Sequence, residues 1–195
     1  MPRPEAATAT LESPDTRLLQ ALADVAAEKG LAAVTVADVV RVAGVSKRTF
    51  YEHFSDKEAC FLQLYRLASA SALRTLREAV QPGLPWQAQV ETALRAYFAH
   101  LASGPQLLRL LFVEIHHLGE AGSAVRREVM GELAAFMLGT VNRDRPAARA
   151  LSEPMAVAAV GAITELVLQA IEQNRQADLT ELAPAASEVV RRLAQ

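Results

Sequence analysis

The sequence predicts an all-α protein: an N-terminal three-helix head followed by a C-terminal helical bundle, about nine helices in all. Three observations carry this. Apolar residues make up 51% of the 195 but aromatics only 5%, so Ala, Leu and Val supply the core, a mixture that suits helix-on-helix packing better than a sheet. Apolar positions recur at i, i+3, i+4 and i+7, with no convincing strand pattern between them. Breaker clusters, of which Gln81-Pro82-Gly83-Leu84-Pro85 is the clearest, separate these stretches.

The first helix is expected from Pro14 or Asp15 to Lys29, with Leu18, Leu22, Val25 and Ala26 on one face and Gly30 closing it. The second runs from Val36 to about Ala43. Thr35 is its N-cap, Asp38 completes a variant capping box, and Val36, Val39, Val40 and Ala43 form its apolar stripe. Gly44 supplies the positive φ of a tight turn. The third runs from about Ser46 to His53, with Val45, Phe50 and Phe54 turned inward. Ser55-Asp56-Lys57-Glu58 reads as a capping box that starts a fourth helix reaching about Val80. Five further helices are expected at about Trp86–Ala102, Pro105–Leu118, Ser123–Val141, Pro154–Asn174 and Pro184–Ala194. The resulting organisation is a disordered arm over residues 1–13, a head over 14–60 and a body over 61–195. In the arm, Arg3 reads as part of a solvated tail rather than a minor-groove contact.

Net charge is −2, which excludes a generally basic nucleic-acid binder. Between Asp15 and Arg66 seven bases face seven acids, so bulk charge gives the head no affinity for DNA. The geometry does: two short capped helices around a Gly turn form a helix-turn-helix. Lys47, Arg48 and Tyr51 share the face of the third helix opposite Phe50. Arg and Lys pair with guanine edges. Ser46 brings a hydroxyl and a nearby free N–H to the helix start, while Thr49 and Tyr51 carry hydroxyls suited to phosphate. His53 and Lys57 lie where the chain leaves the groove, and Thr35 brings the second helix against the other strand. Glu52 would repel phosphate and reads as a helix-stabilising residue. A solvated Lys-Arg face is the alternative.

The single cysteine, Cys60, permits no intrachain disulfide and reads as a small buried hydrophobe. No apolar run reaches the roughly 18–20 uncharged residues of a membrane span, and residues 1–15 lack a signal-peptide core. No membrane partner and a cytoplasmic location are expected. The sixth helix, LLRLLFVEIHHLG, is apolar nearly all round yet carries Arg109, Glu114, His116 and His117. Polar groups in such a place pair internally or orient a ligand. Glu114 and His117 form one Glu-x-x-His step, but a carboxylate-bridged di-metal site needs two, so no metal or other cofactor is expected. No nucleophile elbow appears, and no enzymatic activity is expected. In the last two helices the small residues Ala158, Ala159, Gly161 and Ala162, then Leu166, and the stripe Leu182, Ala186, Val189 and Leu193 suit either an interface or intrachain core. Because one short helix reads few base pairs, a second copy is expected, placing two readers about 34–36 Å apart or a multiple of that.

Residues Thr35 to Ala59, TVADVVRVAGVSKRTFYEHFSDKEA, closely resemble the signature of the tetracycline-repressor (TetR) family of bacterial regulators. The matching elements are Thr35, Ala43-Gly44-Val45-Ser46, Phe50-Tyr51-Glu52-His53-Phe54 and Ser55-Asp56-Lys57-Glu58. The resemblance covers about Arg17 to Tyr65. It implies phosphate contacts from Thr35, Thr49, Tyr51, His53 and Lys57, and base-edge contacts from Ser46, Lys47 and Arg48. It also implies a small-molecule pocket between helices four to eight, for which Tyr97, Leu101, Phe112, His116, Met130, Leu133 and Met137 are the candidate walls. A homodimer built from the last two helices of each subunit is implied as well.

The leading reading is therefore a ligand-responsive repressor that binds a palindromic operator as a homodimer and is released by a small, largely apolar effector. The alternatives are a metal-dependent helical enzyme or ligand carrier with a vestigial helix-turn-helix, and an architectural DNA binder without a ligand.

Overall fold

A computed structural model describes residues 13–195; the expected arm, including Arg3, lies outside the described residues except for Ser13. Nine α-helices and four short 3-10 turns make up the described chain, without a strand. It divides into two compact units, one ending at Phe61 and one from Leu62 to Gln195.

The first unit holds α1 (Pro14–Lys29), α2 (Val36–Ala43), α3 (Lys47–His53) and the start of α4 (Lys57–Ala79). Leu18, Leu22, Val39 and Phe50 are fully buried and form its centre. An unanticipated 3-10 turn, Leu31–Ala33, follows α1 and buries Leu31. At α2 the capping box is complete. The Thr35 hydroxyl accepts from the Asp38 N–H at 3.2 Å, and the Asp38 carboxylate accepts from the Thr35 N–H at 3.0 Å. Gly44 ends α2 in the left-handed region, φ 64°, where a side chain is strained. The start of α4 differs from expectation. Asp56, not Ser55, is the cap, accepting from the Ala59 N–H at 2.7 Å. Because the helix begins at Lys57, Glu58 falls one position short of the reciprocal bond, and the Ser55 hydroxyl donates to Asp56 instead.

The second unit is a bundle of the rest of α4 with α5 (Trp86–Ala102), α6 (Pro105–Val113), α7 (Gly119–Val141), α8 (Glu153–Glu172) and α9 (Ala183–Leu193). α7 packs on α8, α5 on α9, and α8 on α9. Phe98, Leu108, Val141, Val167, Ile171, Leu179 and Val190 lie at the centre. The α7–α8 connection is stitched by Asn142, whose side-chain amide both donates to and accepts from the backbone of Leu151, at 2.9 and 2.7 Å. Arg145 lies over the Trp86 ring at 5.2 Å and donates to the Ala194 carbonyl.

Two expectations are corrected here. The sixth helix does not continue to Leu118. It ends at Val113 and tightens into a 3-10 turn, Glu114–His117. The break expected from Gly119 to Gly122 is instead the first turn of α7. Gly119 turns the chain at φ 56°, and Gly122 lets α7 press on the turn before it. A Cβ at Gly122 would stand 2.3 Å from the Ile115 carbonyl oxygen and 2.9 Å from the Leu118 Cβ, so only glycine fits. Gly131, in the same helix, has nothing within 4 Å. Gly122→Ala is expected to destabilise the bundle by about 1–3 kcal/mol, whereas Gly131→Ala stabilises it by about 0.5–1 kcal/mol. Chemical denaturation of the two variants checks this; equal effects would remove the close approach.

Candidate DNA-reading face and effector cavities

The reading face is built on the shortest helix. Ser46 is the N-cap of α3, its Oγ accepting from the Thr49 N–H at 3.0 Å and lying 2.9 Å from the Thr49 hydroxyl. Both hydroxyls are thus engaged within the cap. Burial of Phe50 fixes the helix's rotation, so Lys47, Arg48 and Tyr51 emerge together. Tyr51 is 58% exposed, its ring edge-on to Phe50 at 5.4 Å. Arg48 is held by Glu52 one turn on, at 3.0 Å, with the arginine side chain 88% exposed. Glu52 thereby has the helix-bound role read from its position, with Arg48 as its partner. His53 is exposed at the end of α3, near Phe54.

Two expected phosphate ligands have internal work. The Thr35 hydroxyl donates to Asp38 at 2.6 Å, and Lys29 meets the same carboxylate at 2.6 Å. The Lys29 ammonium, then the Thr35 hydroxyl and N–H, hold the Asp38 carboxyl well below the usual carboxylate range. The Lys57 ammonium is committed further. It donates to the carbonyls of Leu31, Ala32 and Val34 at 3.0, 3.0 and 2.9 Å. An ammonium has three N–H groups, so none is left over for phosphate in this conformation. Cys60 is fully buried and burial pushes its thiol up to about 12, which leaves it protonated and unreactive at neutral pH.

In the second unit the seven wall candidates come to two small cavities. Tyr97, Leu101, Phe112, His116, Met130 and Leu133 line one of about 70 Å³. Tyr97, Leu133 and Met137 line another of about 50 Å³. The two share Tyr97, Leu133 and Thr164 as common walls. Sequence reading missed Tyr65, Arg126 and Thr164, which also face the larger cavity. Arg126 stands four residues before Met130, a spacing that puts it on the same helical face. Burial raises the Tyr97 and Tyr65 phenols above their ordinary value, so both stay neutral donors. Glu114 and His117, the lone Glu-x-x-His step, lie in the 3-10 turn, with His117 exposed.

Residues 18–64 match the family model described as bacterial regulatory proteins, tetR family. The head of this chain is a TetR-family DNA-binding domain. Solved structures extend the likeness of fold to nearly the whole chain. The fatty acid degradation regulator FadR of Bacillus halodurans superposes with a TM-score of 0.78 at 18% identity, over 92% of this chain and 95% of its own. FadR of Bacillus subtilis, solved in complex with stearoyl-CoA, gives 0.74 at 17%, over 90% and 96%. A transcriptional regulator of Rhodococcus sp. Rha1 gives 0.73 at 24%, over 93% and 96%. The family and these neighbours are transcriptional regulators.

Of the interface candidates, Ala158 is exposed and Ala162, Leu166, Leu182, Val189 and Leu193 are half-buried. Ala186 is different: it is fully buried in its own chain's core, so the expectation that it meets a partner is corrected. The a/d-like spacing was real, but Ala186 belongs to the chain's own core cluster, on a helix packed against α5 and α8.

The Lys57 bonds make a specific demand on the TetR head. Lys57→Met keeps the stem and removes the three donors, and the expected cost is about 2–4 kcal/mol. Amide hydrogen exchange would locate it, with faster exchange across α2 and α3 and little change in α7–α9. Unaltered exchange in α2 and α3 would refute the role given to Lys57.

Proposed function

We propose that the protein is a ligand-responsive transcriptional repressor. It binds a palindromic operator as a homodimer in the cytoplasm and releases it when a small, largely apolar effector enters the bundle. The observation that carries this reading is the exposed Lys47–Arg48–Tyr51 face, presented by a helix whose cap and rotation are fixed from within a TetR-type head. Arg48 and Lys47 read base edges. Thr49, Tyr51 and His53 meet phosphate, with Ser46 and Thr35 bringing the two helix starts to the backbone. Lys57 acts by holding the head's shape.

The effector half rests on the two adjoining cavities. Their shared walls mean that an occupant displaces Tyr97 or Leu133. FadR of Bacillus subtilis holds stearoyl-CoA, and an aliphatic portion suits the apolar walls here. An effector lowers DNA affinity only through tighter binding to a conformation that spaces the two heads wrongly.

The dimer is supported by α8. Met155 and Val157 are 45% and 41% exposed, beside Ala158 and the half-buried Ala162. The segment Ala147–Glu172 is long and apolar enough to cross a membrane, yet 39% of its most apolar stretch is buried within the chain. A second copy covers this face.

Selection of bound DNA from a random pool is expected to return a palindrome with half-site centres one or more helical turns apart. Arg48→Ala weakens binding by about 1–3 kcal/mol and relaxes preference at one base pair; an unchanged footprint and unchanged specificity would remove Arg48 from the reading face. Static light scattering at micromolar concentration is expected to report a dimer, and Val157→Glu to shift it toward monomer. A monomeric wild-type protein defeats the two-headed reading.

A further inference from the structure

Arg126 projects from α7 into the larger cavity, half-buried, and its partners do not account for its charge. Its hydrogen bond is from Nη1 to the Met130 sulfur at 3.0 Å, a weak acceptor. No carboxylate lies within ion-pair reach of it among the described residues. The neighbouring acids are taken by other cations: Glu120 by Arg127 at 3.1 Å and Glu128 by Arg66 at 3.4 Å. Neither cavity has an Asp or Glu in its wall. A guanidinium drawn out of water without an anion is costly, and its planar fork matches a carboxylate in two parallel hydrogen bonds.

The other end of the space is different in kind. Around the smaller cavity stand Leu76, Val90, Leu94, Phe136, Met137 and Ile163. Its two threonines have spent their donors on their own helices, Thr140 on the Phe136 carbonyl at 3.0 Å and Thr164 on the Val160 carbonyl at 2.9 Å. They turn no free donor toward an occupant.

We propose that the effector is an amphipathic carboxylate, its anionic head bound by Arg126 and its aliphatic tail laid past Tyr97 and Leu133 into the apolar cavity. This rests on the reading that the bundle holds an effector, and it names that effector's chemistry. A single arginine, with His116 at an exposed rim as the other cationic candidate in the wall, balances one negative charge better than the two of a phosphate monoester. Tyr97 is a wall of both cavities, and its neutral phenol is the donor an occupant passing between them would meet. Both cavities are smaller than the ~150 Å³ that admits benzene. A tail of several carbons therefore has to open the shared wall, which couples occupancy to movement of α5 and α7.

The test is titration calorimetry on the full chain with octanoate, octyl phosphate and 1-octanol, three probes with one tail. Octanoate is expected to bind roughly 10- to 100-fold more tightly than octanol, the worth of a charge-assisted hydrogen-bonded pair. Arg126→Gln brings octanoate down to the level of octanol while leaving octanol unchanged. Arg126→Lys, which keeps the charge without the fork, retains part of the preference and guards against a folding artefact. Octanol binding as well as octanoate to the wild-type chain overturns the carboxylate and leaves the effector cavity standing. Tighter binding of octyl phosphate overturns the choice of head group. Binding of none of the three at millimolar concentration overturns both this proposal and the effector reading beneath it.

Discussion

The geometry of the head depends on one ammonium group. Lys57, the first residue of α4, gathers the carbonyls of Leu31, Ala32 and Val34, a stretch of backbone that has left α1 and not yet entered α2. Those carbonyls leave a 3-10 turn, where that of Leu31 also accepts from the Val34 N–H at 3.2 Å. Without a cation among them the three oxygens would repel one another, and those of Ala32 and Val34 would lose the ammonium donor they share. The bond set fixes where the second helix begins relative to the fourth. α3 packs on α1 and α2 and is anchored by Phe50. Asp38 works on the same joint from the other side, receiving Thr35 and Lys29 at the mouth of α2.

The body is organised by exclusion instead. Its centre is aliphatic, its polar side chains mostly answer their own backbone, and its helices meet closely where side chains are small. At Gly122 the approach is close enough that even a methyl group is refused. Arg126 faces the cavity without an opposite charge to answer it among the described residues. A guanidinium left in such a position is better explained by something that arrives from outside than by packing.

Much of the head was legible in the sequence, and for a physical reason. Thr35, Gly44, Ser46 and Phe50 act locally, each through a cap, a turn or a single buried ring, so spacing alone recovers α1, α2 and α3 to within a residue. The job of Lys57 was not legible. Its three acceptors lie 23 to 26 positions earlier, and backbone carbonyls carry no residue identity to read. The cap of α4 was missed by one residue because Ser55 and Asp56 are both good caps, and only the observed start at Lys57 separates them. In the body, helix spans were readable from the breakers, but the 3-10 turn at Glu114–His117 was not, since its sequence fits a continuing helix equally well. Ala186 shows the limit of periodicity: a stripe states that a face is buried, and tertiary packing decides whether it is buried by the same chain or by another.

The ion pair between Arg48 and Glu52 has a consequence beyond helix stability. The proposed reading arginine is not idle in solution; it already holds an anionic acceptor 3.0 Å away. A base edge taken up by Arg48, in the proposed reading, has to displace that carboxylate, a small cost for a pair so exposed. A guanine offering two aligned acceptors would offset it, while a poorer edge would leave the arginine on Glu52. On that reading Glu52 takes the same small increment from every sequence that engages Arg48, so it trims the affinity of the best operator rather than ranking one operator above another.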